Sequence, residues 1–159
     1  MELLVRPSDR AQAVLDQYWD RQLPVDLKFI AHKSGATVLE KTALPYSGCF
    51  KYENGKPLIY VNSSQSKMRQ RFTLAHELGH YHLGHQDALR DLPENFSTNV
   101  FDPRESAANQ FAAALLMPKL AIHYLLSERK VKDISELARL LETSEVAMRF
   151  RLKKLGITS

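Results

Sequence analysis

Two histidines four residues apart, His76 and His80, lie within the longest helical pattern of the chain, and they restrict its fold more than any other feature. Residues 62–66, Asn-Ser-Ser-Gln-Ser, supply several N-caps for a helix reaching about residue 84. On a helix, residues four apart share a face, so the imidazoles of His76-Glu77-Leu78-Gly79-His80 can converge on one point. At about 100° per residue, Phe72, Ala75, Gly79 and Leu83 form one apolar arc. His76 and His80 fall at its edge and Glu77 further round. The pattern describes a helix packed on a core that presents two nitrogens to a cleft.

Composition limits what can join those nitrogens. The single cysteine, Cys49, excludes an internal disulfide and any multi-cysteine zinc module. A bound metal must therefore use histidine and carboxylate. Zinc accepts two imidazoles and one carboxylate and keeps a fourth position for water, whose pKa falls to roughly 7. Glu77, next to a ligand, is placed to act as general base and to pass the proton to the leaving amine. The plainer reading makes His76 and His80 two surface histidines on a polar helix edge. Cys49, in a β-rich run, reads as a small apolar residue rather than a nucleophile.

A third ligand has to come from elsewhere, and Glu105 is our choice. The same residues admit a structural account. Asp102-Pro103-Arg104-Glu105 places an acidic N-cap, proline at the first helical position and glutamate at the third, which is how a helix simply begins. Asn109, one turn on, can support a ligand through a hydrogen bond. The oxyanion of a tetrahedral intermediate also needs a donor. His82, His85, Tyr81 and Tyr60 are the candidates, and spacing does not choose among them.

Around this centre the expected fold class is α+β. Helices are expected over 8–21 and, opened by Pro24, as far as about Gly35. Short β-rich runs at 37–40, 48–52 and 58–61 follow, with Asn54-Gly55 as a hairpin turn, giving a small, mostly antiparallel sheet. Residues 86–101 lose their period and read as a surface loop bordering the cleft. A helix then runs from Pro103 to about Met117. We place a domain boundary at Pro118, with 1–118 as the catalytic part and 119–159 as a helical appendage.

Arg71-Phe72-Thr73-Leu74-Ala75-His76-Glu77-Leu78-Gly79-His80, followed by Glu105, Ala108, Asn109, Phe111, Ala112 and Leu115-Leu116-Met117-Pro118, resembles the ImmA/IrrE family of metallopeptidases. The likeness extends from Pro24 to Pro118. It implies a minimal zincin of the Glu-ligand type, with one zinc ion on His76, His80 and Glu105 and with Glu77 as base. It further implies limited proteolysis of a helix-turn-helix repressor, which derepresses phage, mobile-element or stress genes. A histidine near the end of the active-site helix, here His85, also matches the family, while the helix C-terminus alone favours a histidine there just as well.

Residues 134–141 and 146–152 resemble a helix-turn-helix. Asp133 with Glu136 suggests a capping box, Ile134, Leu137 and Leu141 one apolar stripe, and Met148, Leu152 and Leu155 another. Arg149, Arg151, Lys153 and Lys154 make the last helix basic, which suits DNA. The favoured reading is nevertheless a subdomain completing the core, because Arg149 and Arg151 lie on different faces. A net charge of +4 permits nucleic acid without requiring it.

No run approaches the roughly 18 apolar residues of a membrane helix, and the start lacks the plan of a signal peptide. The expected compartment is the cytoplasm, and the expected partner is a protein substrate, a repressor or an antitoxin. Two other functions fit the motif: a non-proteolytic regulator with structural zinc, and the toxin of a two-gene pair.

Overall fold

A computed structural model describes residues 5–86, 91–96 and 102–157. Helix α1 (Pro7–Tyr18) precedes α2 (Leu27–Lys33), whose N-cap is Asp26, its side chain accepting from Phe29 N. Pro24 was the expected start of α2, but Asp26 is the residue able to cap a free N–H, so the helix begins after it.

Strands β1 (Thr37–Lys41), β2 (Gly48–Glu53) and β3 (Lys56–Asn62) form one sheet in the order β1-β3-β2. Asn54 and Gly55, with φ of 53° and 76°, close the β2–β3 hairpin as a two-residue turn with both central φ positive. The sheet is mixed rather than antiparallel throughout. β3 inserts between β1 and β2, so β1 pairs with it in parallel while β2 pairs antiparallel. The connection over 42–47 spans two strand spacings, which a tight hairpin could not do. Asn62 holds that connection by donating to the carbonyls of Leu44 and Tyr46.

Helix α3 (Lys67–His82) starts at Ser66, whose hydroxyl accepts from Arg69 N. It passes through the middle of the molecule, with residues 73–80 all buried. The histidines and Glu77 are thus enclosed, not at the edge of an apolar arc, because the sheet covers one side of α3 and helix α4 (Pro103–Leu116) the other. Two glycines permit these approaches. A Cβ on Gly79 would lie 3.1 Å from Ala108 Cα and 3.2 Å from Phe111 Cβ on α4. A Cβ on Gly48 would lie 2.9 Å from Tyr60 O and overlap the Thr73 methyl. Phe50, Ile59, Leu78, Phe111 and Leu115 fill the core between these layers.

Helices α5 (Lys119–Ser127), α6 (Ile134–Leu140) and α7 (Glu145–Lys154) complete the chain. Asp133 caps α6 as expected, but Glu136 pairs with Arg139 instead of reaching back to the cap. Leu137, Leu141, Met148 and Leu152 join the same core as α3 and α4. Arg151 turns inward, buried, and donates to Met117 O at 2.9 Å, while Arg71 of α3 pairs with Glu142 in the α6–α7 turn.

Of the expected loop at 86–101, residues 87–90 and 97–101 lie outside the described residues. The remainder makes a bridge at Asp91 and a single 3-10 turn, Pro93–Phe96.

Candidate metal centre

The ends of α3 and α4 determine which side chains meet. Asp102 caps α4 through Arg104 N, and Pro103 occupies its first position. Glu105 is freed from capping, and its carboxylate turns into the core instead. Its Oε2 lies 2.8 Å from His76 Nε2 and its Oε1 3.3 Å from His80 Nε2. The two Nε2 atoms are themselves 3.2 Å apart.

A fourth group completes the cluster, one that spacing did not reveal. Asp91 is fully buried, with Oδ2 3.3 Å from His76 Nε2 and 3.5 Å from His80 Nε2. A tetrahedral ion with bonds of about 2.0–2.1 Å requires its donors roughly 3.3–3.4 Å apart. The His76–His80 and His80–Glu105 pairs and both pairs from Asp91 fall at 3.2–3.5 Å, His76–Glu105 is shorter at 2.8 Å, and all four offer ligand atoms within 4.8 Å of one another. The chemistry of the set agrees: two nitrogens and two carboxylates, all buried, need a cation between them. In the metal-free protein a proton takes that part. Burial opposes charge on His76, but Asp91 and Glu105 outweigh it and raise its pKa to about 9.

Each imidazole is oriented from behind. His76 Nδ1 donates to Asn109 Oδ1 at 2.8 Å, and Asn109 Nδ2 donates to Asn95 O, which fixes the amide the right way round. Behind His80 stands His85, Nδ1 to Nδ1 at 2.8 Å. Burial, then the charges of His80 and Arg104, lower the pKa of His85 to about 4, so its ring is neutral and its Nδ1 can accept from His80 Nδ1. With Nδ1 of each ring turned to its partner, Nε2 is the nitrogen each ring presents to the cluster. A Schellman turn places His85: Gly84, with φ of 75°, donates to Tyr81 O while His85 N donates to His80 O.

Glu77 lies beside the cluster without joining it. Both its oxygens are buried and without hydrogen-bond partners among the described residues. Burial first, and then the adjacent Asp91 carboxylate, raise its pKa well above the carboxylate range. Asp91 responds in the opposite sense. Burial would raise it, but Glu77, His76 and His80 together hold it below the usual range.

The other expected residues make their contacts elsewhere. Tyr81 donates to Ser34 O at 2.6 Å, and His82 Nε2 meets Ser34 Oγ at 3.0 Å with its ring stacked on Phe111. Tyr60 alternates with the core residues Ile59 and Val61 and places its ring against Lys41 and Lys51. No periodic or motif signal marks Asp91. A tertiary contact alone brings it in.

An α+β domain with a mixed sheet, a buried helix carrying two convergent imidazoles and a carboxylate from the following helix has the architecture of a small zincin. The peptidase family M78, described as the IrrE N-terminal-like domain, matches residues 31–153, and the chain belongs to it. It is 36% identical over 105 residues to the radiation response metalloprotease IrrE of Deinococcus deserti, covering 64% of this chain and 37% of that protein. With the same-named protein of Deinococcus radiodurans it shares 39% identity over 92 residues, or 57% of this chain and 28% of the relative. The chain thus spans about a third of the length of these two relatives.

Proposed function

We propose that this protein is a zinc-dependent endopeptidase in which His76, His80 and Glu105 hold the metal and Glu77 is the general base. The observation that carries the proposal is Glu77 itself. A structural metal site has no use for a buried, uncompensated carboxylate beside its ligands, and a hydrolase does. The bound metal would supply Lewis acidity and lower the pKa of water. The raised affinity of Glu77 for protons suits it to take one from the attacking water and deliver it to the leaving nitrogen as the C–N bond breaks. Asn109 and His85 keep both imidazoles in the tautomer that presents Nε2.

Glu77→Gln should keep one zinc per chain, measured by elemental analysis, and lose turnover by roughly 10²–10⁴-fold. His76→Ala should lose the metal. A Glu77→Gln protein that cleaves as fast as wild type would refute the mechanism.

For substrate we propose a helix-turn-helix repressor acting in the cytoplasm, reached through an extended segment. The named relatives are radiation response metalloproteases, which accords with a regulatory cleavage. Among the described residues no helix is long and apolar enough to cross a membrane. The test is incubation with a repressor encoded beside the gene, with and without chelator, reading the fragments by mass spectrometry. We assign 119–159 to supporting the catalytic part rather than to DNA, since Arg151 is committed to Met117 O and Glu142 to Arg71. A gel shift with steep salt dependence would reverse that assignment.

One observation favours a second reading. Four protein donors close a tetrahedral site, as in structural zinc centres, and Asp91 is the fourth. On that reading the protein is a non-proteolytic regulator, and Glu77→Gln changes nothing.

A further inference from the structure

Asp91 lies at the edge of the sheet as well as in the donor set. Strand β2 is an edge of the sheet, and its first residue, Gly48, lies against Glu77 and Thr73 of α3. There Asp91 O accepts from Ser47 N at 2.7 Å and Gly48 N at 3.3 Å, and Asp91 N donates to Gly48 O at 2.8 Å. This is an antiparallel bridge of one residue. An extended peptide recognised by strand addition would make these same bonds. At the bridge, the Asp91 side chain passes to the cluster. Asn95 Nδ2 donates to Oδ1 at 3.2 Å and leaves the buried Oδ2 directed at both Nε2 atoms, at 3.3 and 3.5 Å.

From this juxtaposition we infer that the segment at Asp91 is a built-in substrate mimic, which keeps the enzyme latent by pairing with β2 and filling the metal's fourth position. The inference rests on the peptidase reading and adds its regulation. Two features argue for a removable stopper over a permanent ligand. The first is how the segment is held: among the described residues the main chain of Asp91 meets β2 at one bridge, while the turn after it is anchored separately, through Asn95 to Asn109 and Phe96 against Phe72 and His76. An incoming strand can replace each backbone bond it breaks, so displacement exchanges like for like. The second is its neighbour. Asp91 stands against the buried Glu77 carboxyl, and two acids sharing one site carry a mutual repulsion that is relieved when Asp91 is displaced.

The test uses full-length protein loaded with cobalt(II), whose visible absorption reports coordination, and acetohydroxamate as the probe for an open vertex. If the stopper fills the vertex nine-tenths of the time, wild type binds the probe about tenfold more weakly than Asp91→Ala or Asp91→Asn. Both variants should also cleave unfolded casein faster. Equal probe affinity in wild type and both variants overturns the inference. So does loss of cobalt from both variants, which would make Asp91 an obligatory ligand. Tighter probe binding by the variants without any casein cleavage upholds the filled vertex and counts against the peptidase reading instead. A measurement on wild type alone guards against misfolded variants. Saturating acetohydroxamate should speed hydrogen exchange at the Asp91 amide, and binding without faster exchange overturns the inference.

Discussion

His85 Nδ1 stands 2.8 Å from His80 Nδ1, delivered there by the turn that ends α3. Removing it frees the His80 ring to rotate and to change tautomer. His85→Ala should therefore weaken zinc binding by about 10–100-fold, measured by competition with a chromophoric chelator. Gly84→Ala should do the same more mildly, since alanine at φ of 75° costs about 1–2 kcal/mol and loosens the turn.

Gly79→Ala tests the contact between α3 and α4. The new methyl would meet Ala108 Cα, Ala108 O and Phe111 Cβ at 3.1–3.2 Å, two of them main-chain atoms that cannot swing aside. We expect a loss of about 1–3 kcal/mol in urea unfolding, as for other overpacked sites. Zinc affinity should fall as well, because Glu105 rides on the helix that is pushed away.

Glu77→Gln should raise the melting temperature of the metal-free protein even as it abolishes turnover. The folded-state pKa of Glu77 lies above its unfolded value, because burial and then Asp91 disfavour the charge. For an acid shifted upward, the native state binds the extra proton, so stability falls as pH rises above about 4.5. Glutamine has no such cost. Melting curves in chelator should show the variant ahead at pH 7 and the gap narrowing toward pH 4.5. A wild type that matches the variant at pH 7 would show that Glu77 is not strained.

His82 gives a separate pH signature. Burial, and then Arg10, lower its pKa to about 4 in the folded protein, against about 6.5 when unfolded. Between these values the unfolded chain binds the proton and the native one does not, so stability should decline as pH falls from 6.5 to 4. His82→Gln should flatten that segment of the curve, measured by denaturant midpoints across the range. The zinc content at pH 7 should not change.

The sequence made the local parts of this structure legible. Ser66, the Asn54-Gly55 turn and Asp102-Pro103 each act within a few residues of themselves, and each stands where its chemistry predicts. His76 and His80 are legible for the same reason, since a helix alone makes them neighbours. Glu105 was ambiguous between cap and ligand, and only packing of α4 on Gly79 turns its carboxylate toward the imidazoles. Asp91 was not legible at all. It lies in an aperiodic stretch, and its position depends on a bridge to Gly48 that no neighbouring residue announces. The parallel pairing of β1 escaped likewise, because the insertion of β3 between two consecutive strands is a property of the whole sheet.

Gly48 carries one more implication. On the proposed reading, a peptide laid along that rim would find no Cβ opposite it at Gly48, because Thr73 and Glu77 of α3 fill that space. Discrimination would then fall on whether a target can be drawn out straight. An unstructured linker would qualify and a folded helix would not.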